Sequence, residues 1–360
     1  MPNMPQTMHA VHLTGHGGYD KLCYREDVAV PVPGPGEVLI RVGAAGVNNT
    51  DINTRIGWYS KTVTEGTVGN ASEAGTDSSD LSDGAWSGAL QFPRIQGADI
   101  CGRIVAVGGG VDARRIGERV LVEPCLPQGD AEFCYIGSEC DGGFAQYATA
   151  PAVNSYPIDC TWSDAELAGI PCSYSTAENL LTRADLKAGE TLLVTGASGG
   201  VGSAAVQLAK RRGARVIALA AASKADDVLA LGAERVIPRD ADLLAALGSG
   251  CVDVVVDLVG GEQWPLLLET LKPKGRYAVS GAIGGPIVSL DLRTLYLKDL
   301  SFFGCTMLDP QVFPNLVGYI ERGEILPALA KSYPLREIAQ AQEDFLRKAH
   351  TGKLVLIPEE

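Results

Sequence analysis

Residues Leu192 to Gly202 read Leu-Leu-Val-Thr-Gly-Ala-Ser-Gly-Gly-Val-Gly, an apolar run that turns through glycines into a helical stretch. Glycine lets the backbone turn tightly and lets an anion come close, and the first amides of a helix have no partner within it. Such a turn is a ready cradle for a pyrophosphate, so a dinucleotide is the first ligand to consider. In the three-glycine fingerprint the marked positions fall on Ala197, Gly199 and Gly202. With alanine at the first of these, the surroundings have to decide.

Those surroundings alternate. Thr191 to Thr195 reads as a short apolar strand, and Val201, Ala205, Leu208 and Ala209 recur at helical spacing through Ser203 to Arg212, where Gly213 ends the run. Further strands read at 214–220, 235–237, 251–257, 276–280 and 300–304, with helical stretches between them at 224–231 and 262–271. Alternating strands and helices predict an α/β fold with a doubly wound parallel sheet. The alternative is a glycine-rich turn in some other α/β domain.

A chain of 360 residues holds about two domains. A formal charge of −13 repels phosphate backbones and anionic lipid, which points to small molecules rather than nucleic acid or membrane as partners. No apolar run is long enough for a membrane span and no basic-then-apolar signal opens the chain, so a cytoplasmic location is expected. The nine cysteines form no Cys-x-x-Cys pair and do not read as a disulfide framework.

Residues 1–155 differ in texture. Short strands at 37–42, 101–107 and 119–122, punctuated by Gly and Pro, suggest a small β-barrel or sandwich. Ser60 to Leu90, rich in Gly, Ser, Thr and acids, reads as a surface loop, with a lid beside a site as the alternative. From Asp309 onward, a helix over 312–322 and a final strand over 353–357 are expected to return to the first domain. The expected boundaries are 1–158, 159–309 and 310–360.

Several segments, in order along the chain, resemble the medium-chain dehydrogenase/reductase superfamily: Gly46-Val47-Asn48-Asn49-Thr50-Asp51, Gly97-Ala98-Asp99-Ile100-Cys101-Gly102, Gly117-Glu118-Arg119-Val120, Gly142-Gly143-Phe144-Ala145-Gln146-Tyr147, the glycine turn, and Gly352-Lys353-Leu354-Val355-Leu356. The resemblance implies a GroES-like catalytic domain split around a Rossmann domain, with the active site between them. In the alcohol dehydrogenase branch Cys, His and Cys hold a catalytic zinc, whereas the matching positions here are Asn48, Ala98 and Cys172. An amide and a methyl group supply neither charge nor soft donors, so no catalytic metal is expected. Cys125, Cys134 and Cys140 are too few and too widely spaced for the structural zinc lobe and read as reduced thiols, of which Cys134 and Cys140 lie in a loop and could react. His9, His12 and His16 read as surface or packing residues, and His350 completes the four histidines.

Without the metal, the pattern is similar to the quinone oxidoreductase and enoyl reductase branch. Asn48 is a candidate to donate to a carbonyl or ribose hydroxyl, and Tyr59 to donate to an enolate-like oxygen, although a phenol is a weak acid at neutral pH. At the end of the second nucleotide-domain strand stands Ala220-Ala221-Ala222-Ser223-Lys224. The carboxylate that would bind two ribose hydroxyls is missing, while Ser223 and Lys224 suit a 2′-phosphate, with Arg239 a second candidate. NADPH is therefore expected over NADH. The resemblance places Thr176 near the nicotinamide, Ala197, Ser198, Gly199, Gly200 and Val201 at the pyrophosphate, and Val259, Ser280, Gly281, Cys305 and Thr306 at the strand ends facing the cofactor. The function expected is NADPH-dependent, zinc-independent reduction of a quinone or an α,β-unsaturated carbonyl compound. Alternatives are an alcohol or aldehyde dehydrogenase of the same superfamily and a dinucleotide-binding protein without turnover. A homodimer through the region 280–300 is expected by the same resemblance.

Overall fold

The computed structural model describes residues 4–67, 81–128 and 132–359. The apolar strands after residue 190 form, among the described residues, a six-stranded parallel sheet in the spatial order Arg235–Pro238, Arg215–Ala220, Thr191–Val194, Val252–Asp257, Leu271–Val279, Ser301–Gly304. The chain order reverses beside Thr191–Val194, and open parallel sheets bind ligands at such a switch point, beyond the carboxyl ends of the strands. Both faces are covered. Val194, Val254 and Val256 pack into one core with Leu180 and Leu208, while Leu193, Val255 and Tyr277 pack into another with Trp264 and Leu267. That explains near-continuous apolar strands rather than alternating ones.

The helix after the glycine turn spans Gly200–Arg211, preceded by Gly199, which offers its first amides no side-chain cap, and so starts ahead of the Ser203 that apolar spacing marks. Its first turn carries Gly200 and Gly202, where a Cβ would crowd Ser173 and the Gly196 carbonyl. Gly196 sits at φ +59°, in the left-handed region that glycine tolerates. Beyond the second strand, Ala222–Lys224 forms a short 3₁₀ turn and the helix proper is Ala225–Leu231.

Among the described residues, the rest of the chain builds a seven-stranded sheet around the long strand Glu37–Val47, with a three-stranded sheet and a two-stranded hairpin beside it. The last strand, Lys353–Ile357, pairs antiparallel with it in the register Leu354↔Val47 and Val355↔Gly46. This pairing brings residue 353 beside residue 48 from opposite ends of the sequence. The expected boundary at 310 moves. Helix Val312–Glu321 buries Val312, Phe313, Leu316 and Ile320 in the nucleotide-domain core shared with Pro171–Arg183, so the chain leaves that domain only after Ile325. Among the described residues no helix is long and apolar enough to cross a membrane.

Candidate active site

Two connected clefts open between the domains, an outer one of about 750 Å³ and an inner one of about 210 Å³, sharing Gly196, Gly199 and Gly200. A methyl group on Gly200 would lie 2.6 Å from Ser173 Oγ and 2.9 Å from Lys353 Cδ, so only glycine leaves the crevice open where the helix begins. Asn49 lines the inner cleft and its Oδ1 is buried with no partner, which fits an acceptor for a ligand N–H or hydroxyl. The turn, the uncapped helix amides and this acceptor suit a nicotinamide dinucleotide.

The wall of the inner cleft is held by a buried charge cluster. Strand Glu37–Val47 ends at Asn48, which caps helix Asn49–Arg55, and Gly97, at φ +103°, turns the chain so that Asp99 points inward. Asp99 Oδ1 accepts from the Cys172 backbone amide at 2.5 Å, and its Oδ2 accepts from Asn48 Nδ2 at 2.8 Å and Lys353 Nζ at 2.9 Å. Lys353 Nζ also donates to Asn48 Oδ1 at 2.5 Å. Residue 46 must be glycine for this cluster to close, because a Cβ there would sit 2.3 Å from Asp99 Oδ2.

The cluster changes the reading of Asn48. Its two amide hydrogens are directed to Asp99 and, at 3.4 Å, to the Gly46 carbonyl, so its side chain is an internal strut instead of a free donor to substrate. The Tyr59 hydroxyl donates to Thr50 Oγ1 at 3.0 Å, and burial pushes its pKa up to about 12, which makes it a poorer proton donor than a free phenol. Cys172 is also pushed up to about 12, by burial first and by Asp99 second, and accepts from the Tyr135 hydroxyl at 3.0 Å. Ala98 is wholly buried beside it.

Ser60 to Leu90 is not only surface loop. Residues 68–80 lie outside the described residues, but Trp86 stacks on Tyr135 with ring centroids 4.2 Å apart and donates to Thr50 Oγ1 at 3.2 Å, lining the inner cleft. Cys134 and Cys140 are free thiols whose side chains interact with each other, and Cys125 is a buried one. Among the described residues no group of three or more His, Cys, Asp or Glu side chains is arranged to hold a metal.

Of the residues expected at the cofactor, Thr176, Val201, Ser280 and Gly281 line the inner cleft, and Ser198, Ser223, Lys224 and Val259 line the outer one. Ala197 is buried beneath the turn. Cys305 is buried in the nucleotide-domain core and Thr306 is exposed, and both lie outside the two clefts. Lys224 does reach the outer cleft, but its ammonium donates to the Lys348 and His350 carbonyls at 2.6 and 2.5 Å. It therefore ties the nucleotide domain to the returning chain, with one N–H left over for a ligand. Sequence reasoning missed Lys353, Trp86, Tyr135, Lys348 and the place of His350. For Lys353 a signal existed, since a lysine opening an otherwise apolar strand must find a partner once buried.

Asp51, directly behind the cluster, is 2% exposed, and burial raises its carboxyl to about 7, with Asp99 adding repulsion. A carboxyl raised in the fold favours the protonated form, so its contribution is intact below pH 4 and is lost as pH rises through 7. Asp51→Asn keeps the acceptor for the Asn48 amide, gives up one for the Gly97 amide, and removes the titration. The stability of the variant relative to the wild type is therefore expected to rise between pH 4 and pH 8 by on the order of 4 kcal/mol, at about 1.4 kcal/mol per tenfold change in proton affinity. Thermal melts across this range check it; an unchanged difference would contradict it.

Comparison with known proteins agrees with this architecture. Residues 34–159 match the alcohol dehydrogenase GroES-like domain and residues 200–322 match the zinc-binding dehydrogenase domain. The quinone oxidoreductase of Mus musculus is 31% identical over 97% of this chain and 98% of its own length. The chain belongs to the medium-chain dehydrogenase/reductase superfamily. Within that superfamily, the acryloyl-coenzyme A reductase of Metallosphaera sedula is 29% identical over 97% of this chain and 99% of its own length. A solved structure from Sinorhizobium meliloti 1021, provisionally named an alcohol dehydrogenase, is 46% identical, covers 99% of this chain and 98% of its own, and superimposes with a TM-score of 0.88. The protein is thus an oxidoreductase of a superfamily that binds a nicotinamide cofactor. The zinc in the name of the matched domain does not suit the residues found. Asn48 is engaged by Asp99 and Lys353, Ala98 has no donor atom, and the Lys353 ammonium beside Asn48 would repel a dication.

Proposed function

We propose that this medium-chain reductase uses NADPH, without a catalytic metal, to reduce a quinone or an α,β-unsaturated carbonyl compound. The observation that carries the reading is the side-chain set at Asn48, Ala98 and Cys172, where a buried ammonium and carboxylate stand in place of metal-binding donors. The cofactor supplies a hydride. The chain supplies a crevice that excludes water, an anion cradle at Gly199 and Gly200, and a polar wall against the acceptor oxygen. Solvent, rather than Tyr59, delivers the proton that completes reduction.

The test follows absorbance at 340 nm with NADPH or NADH against 1,4-benzoquinone, 2-cyclohexenone and an aldehyde, with and without a chelator. Quinone or enone turnover with NADPH, unaffected by chelator, is the expected result. Chelator-sensitive aldehyde reduction would instead make this an alcohol dehydrogenase, and NADPH binding with no turnover would leave a binding protein.

The preference for NADPH rests on the outer cleft, where Ser223, Lys224, Arg239, Lys348 and His350 gather beyond a second strand with no carboxylate at its end. Burial first, then Lys224, pushes Lys348 down to about 7, and burial pushes His350 to about 4. A bound 2′-phosphate favours the charged forms of Lys348 and His350 against the repulsion of Lys224, so NADPH binding near pH 7.5 should take up protons. Calorimetry in buffers of different ionisation enthalpy measures this. Equal uptake with NADH would exclude the 2′-phosphate as its cause.

The edge strand Ser301–Gly304 and the helix before it expose Leu292, Tyr296, Leu297 and Phe302. A second copy pairing along this edge would cover them, giving a homodimer. Sedimentation equilibrium checks this, with a monomer at micromolar concentration as the contrary outcome.

A further inference from the structure

Resting on the reading above, we infer that Lys353 is a catalytic residue, donating a hydrogen bond from its ammonium to the acceptor oxygen that becomes negative when hydride is transferred. Its position is built from three directions. The strand Lys353–Ile357 is held in register with Glu37–Val47, Asp99 and Asn48 fix the Nζ, and the aliphatic stem runs past Gly200, which has no side chain to displace it. The side chain is 3% exposed, and the residue lines the inner cleft beside Thr176 and Ser280.

Donor counting points the same way. An ammonium has three N–H groups, and two of them go to Asn48 Oδ1 and Asp99 Oδ2. The Asn48 amide hydrogens are taken up by Asp99 and Gly46, the Tyr59 hydroxyl by Thr50, and the Tyr135 hydroxyl by Cys172. The third N–H of Lys353 is thus the donor the cluster leaves for a ligand. Its partners also keep it from moving, so it costs no reorganisation when charge develops.

For an enone, a bound NADPH would supply the hydride that forms the new C–H bond at the acceptor β-carbon. The electron pair of the C=C bond shifts to make the enolate, whose oxygen receives the Lys353 hydrogen bond. Water then protonates the α-carbon, and NADP⁺ and the saturated ketone leave. Lys353 keeps its proton throughout. For a quinone the hydride adds to a ring carbon, the same hydrogen bond meets the enolate oxygen so formed, and solvent protonates the oxygens and removes the ring proton to give the hydroquinone.

The experiment compares the wild type with Lys353→Met, which keeps the stem and removes the donors, using stopped-flow hydride transfer to 2-cyclohexenone and fluorescence titration of NADPH. Hydride transfer is expected to fall about 100-fold, the scale of a lost oxyanion donor, while the NADPH dissociation constant changes less than threefold. Ethylammonium added to Lys353→Ala should restore rate at least tenfold. A readout without turnover is 4-nitrophenol bound to the enzyme with NADP⁺: the wild type should bind the yellow phenolate in preference to the phenol, and Lys353→Met should lose that preference. Retained hydride transfer, or a loss traced wholly to weaker NADPH binding, overturns the inference and leaves Lys353 a structural or cofactor residue. If Lys353→Met fails to fold, the paired substitution Lys353→Met with Asp99→Leu removes both charges, and wild-type rates in it overturn the inference equally. A wild type that reduces neither enone nor quinone refutes the underlying reading, whereas an active wild type with an unaffected variant refutes only the role of Lys353.

Discussion

Gly202→Ala is expected to weaken NADPH binding at least tenfold and to lower stability together. The ideal position of the added methyl carbon lies 2.2 Å from the Gly196 carbonyl oxygen and 2.6 Å from the Ala197 Cα, both backbone atoms that cannot swing aside. The helix Gly200–Arg211 would have to retreat from strand Thr191–Val194, against a face where Ala204, Ala205 and Leu208 are already fully buried. Overpacking of this kind costs on the order of 1–3 kcal/mol or more. The retreat also carries the first helix amides away from the position where the pyrophosphate would sit, so affinity should fall at least tenfold even in molecules that stay folded. Gly189→Ala is a control of the opposite kind. It meets no atom within 4 Å, although its φ of +82° makes the substitution strained. It should therefore lose stability without losing cofactor. Equal NADPH affinity in Gly202→Ala and the wild type would mean that the turn does not hold the pyrophosphate.

The nucleotide domain was legible because its signals are local. The central strands are continuous apolar runs, the helix after the turn carries apolar spacing, and the glycine turn marks their junction; the start of that helix is less legible because Gly200 and Gly202 serve closeness and not burial, and strand Leu271–Val279 begins ahead of the expected 276 because Lys272, Lys274 and Gly275 interrupt its apolar pattern. The site was legible where position follows from that same local pattern, as with Ser198, Gly199, Gly200, Ser223 and Val259. It was not legible where side chains from distant segments meet. Nothing near Asn48 announces that Lys353 will take its oxygen, because that depends on the antiparallel register Leu354↔Val47. Trp86 sits in a stretch without periodicity, so its stacking on Tyr135 leaves no trace in spacing. Lys224 lines the outer cleft, but its bonds to the Lys348 and His350 carbonyls depend on where the returning chain packs, which no local pattern around residue 224 announces.

Replacing Asp99 by alanine should be the most damaging single change at the site. The carboxylate is wholly buried and accepts from the Cys172 amide, Asn48 and Lys353, so its loss strands one backbone N–H, one side-chain amide and a buried ammonium at once. Breaking one side of a buried ion pair costs about 3–5 kcal/mol, because the remaining charge has lost both water and partner. For domains of this size that corresponds to a fall in melting temperature on the order of 10 °C. Asp99→Asn should fare little better, since one end of its amide would offer N–H groups to donors that already face it. The comparison that isolates the cause is Asp99→Leu combined with Lys353→Met, which removes the stranded charge and should recover most of the lost stability without recovering activity. Thermal melts of the three variants measure this directly. If Asp99→Ala melted within about 2 °C of the wild type, the cluster would not be holding the two domains' segments together, and the rigid placement of Lys353 would lose its support.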